Sequence, residues 1–330
     1  MEKIKILISK INLNNTNLNG SKNSLDCLTI QDVYEIAEPK IKEMCFEYNM
    51  TNFLLPKING NNSLVIYADS IMKNKIYKYA IKIYIYDKNE IKILDISQKL
   101  VSDNNILPKI YYDYIIDYNS KDFIVKINVS ERLIPFYDFI WTSIKQMKNS
   151  IITLIEKTIK LHSFGFVHND IKYENIGFDS DGNTFLFDFD NFSIITKSSC
   201  LKIYSSSVCH PPDILINSSI LNGLGNCIID LFSICCIILG DIIGIHFWHF
   251  DNLQLYEKKY QIINFKRHKI FDVIQRKIFS IYKELCLSQF WFSLINFLHL
   301  VFQKNIKIKN KRAFIRRAKK LITRMKTDLE

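Results

Sequence analysis

No C-x-x-C pair occurs among the eight cysteines, and Cys235 and Cys236 are adjacent inside an apolar run. That pattern argues against a disulfide framework and a zinc cluster, and for a reducing, intracellular and cytoplasmic setting. Cys209-His210 has no second ligand pair to complete a metal site. A signal peptide is not visible, because lysines break the short apolar stretch at the N-terminus. A clean membrane span is lacking too. Residues 227–247 are apolar enough to raise the question, but Asp230 and Asp241 interrupt them and charges at bilayer depth are costly. They read as a buried helix, as do residues 285–302, and no transmembrane segment is expected. Glycine is scarce, nine in 330 residues, which bears on any loop that must approach a phosphate closely.

The apolar content is ample for a core, and 330 residues suffice for one two-lobed domain or two small ones. The formal charge of +11 favours an acidic partner without saying which. Residues 1–26 are polar and Asn-rich and read as poorly ordered. In 27–50, Val33, Ile36, Ile41, Met44 and Cys45 recur at helical spacing around Pro39, giving one or two short helices. Strands are expected at 53–58, 63–67, 76–86, 110–116 and 123–127, and helical structure from Pro135 onward.

The most specific stretch runs from 161 to 192. An apolar helix (Ile151 to Phe166) leads into His168-Asn169-Asp170-Ile171-Lys172, then Asn175. Two short strands, Ile176–Phe178 and Thr184–Phe187, flank an Asp-Gly-Asn turn, and Asp188-Phe189-Asp190 follows. Any one of these Asp or Asn residues alone is a turn former. Their order is what matters: a carboxylate, a lysine two positions on, an amide three beyond and a second carboxylate after a hairpin suit phosphoryl transfer.

This stretch resembles the catalytic and metal-binding loops of eukaryotic-type serine/threonine protein kinases. The resemblance extends over about residues 52–326. It implies an α+β, two-lobed fold with a small antiparallel sheet and a larger helical lobe. The implied division is an N-terminal extension (1–50), a first lobe (51–127), a hinge (128–134) and a second lobe (135–330). The implied activity is transfer of the γ-phosphoryl of ATP to a seryl or threonyl hydroxyl of a protein, with Mg2+. Asp170 would be the base or orienting group for the incoming hydroxyl, Lys172 would neutralise the moving phosphoryl, and Asn175 and Asp188 would ligate the metal. Lys172 is the serine/threonine-kinase choice.

Upstream, Tyr79-Ala80-Ile81-Lys82-Ile83 is similar to the strand that carries the phosphate-binding lysine. Alternation puts Ala80 and Lys82 on one face and Ile81 and Ile83 on the other. Glu90 is the expected partner of Lys82, with Asp95 as the alternative. In the turn before Val65, only Gly60 survives of the glycine-rich loop, and Ser63 takes the third position. Downstream, Ser206 matches the threonine that contacts the catalytic Asp, and Asp213 the acid that closes the activation segment, pairing with Arg312. Asp230 matches an aspartate that receives backbone amides of the catalytic loop.

Two departures stand out. Asn169 replaces the usual arginine, which implies activity independent of activation-loop phosphorylation. Asp190 replaces the usual glycine. The Asp-Phe-Asp triplet and the AT-rich-genome composition resemble the poxvirus serine/threonine kinase family, which would place the protein in host cytoplasm. A pseudokinase acting as a binding module and a small-molecule kinase are the alternatives. Finally, residues 311–325 are basic and amphipathic, which suggests contact with anionic membrane or nucleic acid.

Overall fold

Apolar residues of period two build a five-stranded antiparallel sheet, and one long amphipathic helix covers its inner face. In the computed structural model the described residues are 30–54, 63–87, 105–117, 123–188, 193–194, 223–242, 276, 289–302, 311–327 and 329. The chain divides into two compact units, Met1–Leu133 and Ile134–Glu330.

In the first unit, α1 (Ile30–Glu47) precedes β1 (Met50–Leu54), β2 (Ser63–Met72), β3 (Lys75–Asp87), β4 (Ile110–Asp117) and β5 (Phe123–Glu131). The sheet order is β1-β2-β3-β5-β4, all neighbours antiparallel. α1 is a single 18-residue helix with Pro39 inside it, where two shorter pieces were an open expectation. Proline there removes one backbone hydrogen bond; burial of Val33, Tyr34, Ala37, Ile41 and Met44 against the sheet outweighs the loss. These residues share one core with Leu64, Ile66, Ile81, Ile83, Val125, Ile127 and Val129.

The strand expected at 123–127 runs four residues further, through Glu131: Asn128 pairs with Lys82 and Val129 with Ile81. The alternation runs straight through, Val129 pointing into the core while Asn128 and Ser130 take the other face.

The second unit opens with β6 (Ile134–Pro135) and a 3-10 turn at Phe136–Asp138. α2 (Ile144–Ser163) follows, starting seven residues earlier than the apolar run suggested. Ser143 caps it, accepting from the Gln146 amide at 3.1 Å, while Gln146 Oε1 reaches back to the Thr142 amide at 2.8 Å. Gly165, at φ +91°, ends it in the left-handed conformation that glycine adopts without a Cβ penalty. β7 (Phe166–Val167), β8 (Ile176–Phe178), β9 (Thr184–Leu186) and β10 (Ser193–Ile194) come next. β6-β8-β9 form one small sheet and β10-β7 another.

α3 (Gly223–Ile237) continues as a π-helical turn to Ile242; α4 (Gln289–Phe302) and α5 (Lys311–Lys326) complete the unit. α2 packs against α3, α5 and β9, and α4 packs against α3 and α5. Leu231, Ile234, Cys235, Ile238 and Leu239 are fully buried, so the apolarity of α3 is spent inside the protein. Among the described residues no helix is long and apolar enough to cross a membrane.

Candidate active site

The site in the second unit is anchored by a buried carboxylate. Asp230, on α3, is fully buried. Its Oδ2 accepts from the His168 amide at 2.8 Å and its Oδ1 from the Asn169 amide at 2.8 Å. His162, at the end of α2, bonds the same Oδ2 through Nε2 at 2.9 Å. Burial opposes a charged imidazolium; the Cys227 side chain and the Asp230 carboxylate outweigh it and push the ring up to about 9. The loop from 168 is therefore tied by its backbone to a charge-paired centre between α2 and α3.

Two residues of this site adopt the left-handed backbone region, Asn169 at φ +63° and Asp188 at φ +64°. Asn and Asp visit that region more readily than bulkier residues because their short polar side chains bond locally. The conformation gives a backbone reason for asparagine at 169, beyond the missing cation. Positive φ in a non-glycine residue is a form of strain that concentrates at functional sites.

Phe187 fixes the approach to Asp188. Its amide donates to the Asn175 carbonyl at 3.1 Å, and its carbonyl lies 3.1 Å from His168 Nε2. The second carboxylate thus hangs from a residue stitched on both sides to the loop that carries the first.

Around Asp170, which is buried, the contacts are divided by oxygen. Oδ2 accepts from Lys172 Nζ at 2.9 Å and from Asn175 Nδ2 at 3.2 Å, while the Asp170 carbonyl takes the same Nδ2 at 2.8 Å. Oδ1 is buried and has no hydrogen-bond partner among the described residues. Partial burial works against a charged Lys172, but the bond to Asp170 and the fields of Asp170, Glu174 and Asp188 outweigh it and raise its pKa, so the ammonium persists at neutral pH. A buried carboxylate oxygen with no hydrogen-bond partner is uncommon, and such atoms are found at functional sites.

The donor set suits a hard divalent cation. Asn175 spends its amide nitrogen on Asp170, which leaves the amide oxygen as its ligating atom, and Asp188 adds a carboxylate. Among the described residues no group of three or more His, Cys, Asp or Glu could hold a metal by itself. A pair of protein oxygens completed by phosphate oxygens is how magnesium is usually held.

In the first unit, Val65, Ala80 and Lys82 share the face of the sheet opposite the α1 core, since Leu64, Ile66, Ile81 and Ile83 belong to that core. Val65 pairs with Lys82 across β2 and β3. Lys82 Nζ lies 5.0 Å from the centroid of the Tyr84 ring. Lys126, on β5, is a buried lysine paired with Asp113 at 3.1 Å. Gly60, Glu90, Asp95, Asp190, Ser206, Cys209, His210 and Asp213 lie outside the described residues, as do the side chains of Ser63, Asp241 and Arg312.

Sequence reasoning missed His162 and the role of Phe187. A signal for the first existed: His162 continues the apolar stripe of Ile151, Ile155 and Ile159, and a histidine on a buried stripe needs a buried partner. Phe187 acts through its backbone, which leaves no trace in residue type. No protein-family model matches the chain, and no curated protein matches its sequence.

Proposed function

We propose that the chain is a serine/threonine protein kinase of the eukaryotic type, its first unit the small lobe and its second unit the large lobe. The observation that carries this reading is the arrangement at Asp170: one oxygen held by Lys172 and Asn175, the other buried without a hydrogen-bond partner. A seryl or threonyl hydroxyl of a protein substrate gives its proton to Oδ1 as its oxygen attacks the γ-phosphorus of ATP. The bond from that phosphorus to the bridging oxygen breaks, and ADP leaves. Lys172 offsets charge on the transferred phosphoryl. Lys82, with Val65 and Ala80 on the same sheet face, binds the nucleotide. Asn175 and Asp188 would hold Mg2+, which when bound would neutralise charge on the phosphates.

Asp230 and His162 act by positioning. They hold the backbone of the loop so that Asp170 does not have to be organised at the moment of reaction. The Asp188-Phe189-Asp190 triplet supports membership of the poxvirus serine/threonine kinase family, and the cysteine pattern supports a cytoplasmic setting.

The test is incorporation of label from γ-labelled ATP into a generic protein substrate with magnesium, read by phosphoamino-acid analysis. Wild type should label serine or threonine, and Asp170→Asn should be slower by at least about a hundredfold, the usual contribution of a positioned base. Equal rates in the two proteins, both folded, would remove the kinase reading and leave that of a binding scaffold.

A further inference from the structure

The cationic face of α5 is not used by the reaction above. Phe314, Ala318, Leu321, Ile322 and Met325 are buried against α2 and α4, so the apolar face of this helix is spent within the second unit. Arg316, Arg317, Lys319, Lys320 and Arg324 are exposed, and the described helix carries no acidic residue. None of these five makes an ion pair among the described residues; Lys326, which does, is held by Glu156 at 2.7 Å and stands apart from them. Arg316, Lys320 and Arg324 recur every four residues and climb one ridge in steps of about 6 Å. Arg317 and Lys319 flank that ridge.

The chemistry of the face selects its partner. With no apolar side chain exposed on it beyond Ala313, the helix has little to insert into a bilayer, so attachment to an anionic membrane would rest on charge alone. With no aromatic residue exposed on it, the face offers no platform for stacking unpaired bases. With no Asn or Gln, it has no side-chain amide for reading adenine edges. What remains is a row of cations at a spacing similar to that of successive phosphates along a strand, three of the five being arginines that pair bidentately with phosphate oxygens. We propose that α5 docks the protein on the phosphate backbone of duplex nucleic acid. The inference is independent of the kinase reading.

The experiment is binding of the full chain to a short labelled DNA duplex, followed by fluorescence anisotropy across a salt series. Five neutralised phosphates predict a slope of log K against log salt of about −4.5 from this face alone. The variant Arg316→Ala/Lys320→Ala/Arg324→Ala should make the slope shallower by about 2.7, since each lost contact removes about 0.9. A control variant, Lys73→Ala/Lys75→Ala/Lys78→Ala, removes equal charge from exposed positions on β2–β3 and should leave the slope unchanged. Circular dichroism and the melting temperature check the fold, and a triple glutamine variant at the α5 positions serves if the alanine protein fails to fold. Three results overturn the proposal: an unaltered slope in the α5 variant, an equal loss in the control, or phosphatidylserine vesicles binding as tightly as duplex.

Discussion

Removal of the Asp230 carboxylate is the sharpest test of how the loop is held. Asp230→Ala deletes three contacts at once: the amides of His168 and Asn169, each at 2.8 Å, and the ring of His162 at 2.9 Å. Each orphaned amide costs roughly 1–3 kcal/mol, and breaking a buried charge pair costs roughly 3–5 kcal/mol. These terms overlap, because His162 escapes part of the second by giving up its proton. A net local cost of about 4 kcal/mol follows, equivalent to roughly a thousandfold in the opening equilibrium. Hydrogen exchange of peptides covering residues 164–172 reads that opening directly. Protection of the His168 and Asn169 amides should fall by about three orders of magnitude in Asp230→Ala. In Asp230→Asn, which keeps one acceptor oxygen, the loss should be about half as large in free energy. Protection in Asp230→Ala within tenfold of wild type would show that the carboxylate is not what fixes the loop.

His162 should make stability depend on pH. Its folded-state pKa lies above the unfolded value, 6.5 raised to about 9, so its contribution is complete below pH 6.5 and is lost as pH climbs to about 9. The unfolding free energy from urea titrations should therefore fall across that window by about 3 kcal/mol in total, and a His162→Gln protein that kept the same decline would refute the assignment. Gly182→Ala should destabilise the β8–β9 hairpin by about 2 kcal/mol in urea unfolding, for two reasons: φ there is +81°, and the new Cβ would lie 2.6 Å from Gln146 Cγ. Gln146 cannot easily yield, since its Oε1 accepts from Thr142 and its Nε2 donates to the Ser180 carbonyl. An unchanged midpoint would mean that the hairpin relaxes without strain.

Much of this arrangement was legible in residue order. Strand alternation placed Lys82 and Ala80 opposite Ile81 and Ile83, and the structure puts both isoleucines in the core. The Asp-Gly-Asn turn reads as a turn because Asp179 Oδ1 can accept from the amides of Asp181 and Asn183, as it does at 3.0 Å and 2.8 Å. Asp230 was visible as a charge that an apolar helix would not otherwise tolerate. The extension of β5 through Glu131 was legible too, in Ile127 and Val129 alternating with Asn128 and Ser130. Contacts made by the backbone are different. The stitching of Phe187 to Asn175 and His168 uses groups that every residue carries, so no choice of side chain announces it.

The same distinction explains why Asn169 admits two readings. Judged by charge, asparagine at this position brings no cation of its own, and the cation beside Asp170 is Lys172. Judged by backbone, it fits: at φ +63° a β-branched residue would be strained, whereas asparagine is among the residues that tolerate the left-handed region. Its amide is also one of the two that Asp230 holds. The backbone of this position therefore carries the loop geometry whatever the side chain does for regulation. Loss of the cation need not loosen Asp170, because its restraint comes from α3 below and from Lys172 and Asn175 alongside. On the kinase reading proposed above, a loop anchored in this way would not need a phosphate to become ordered.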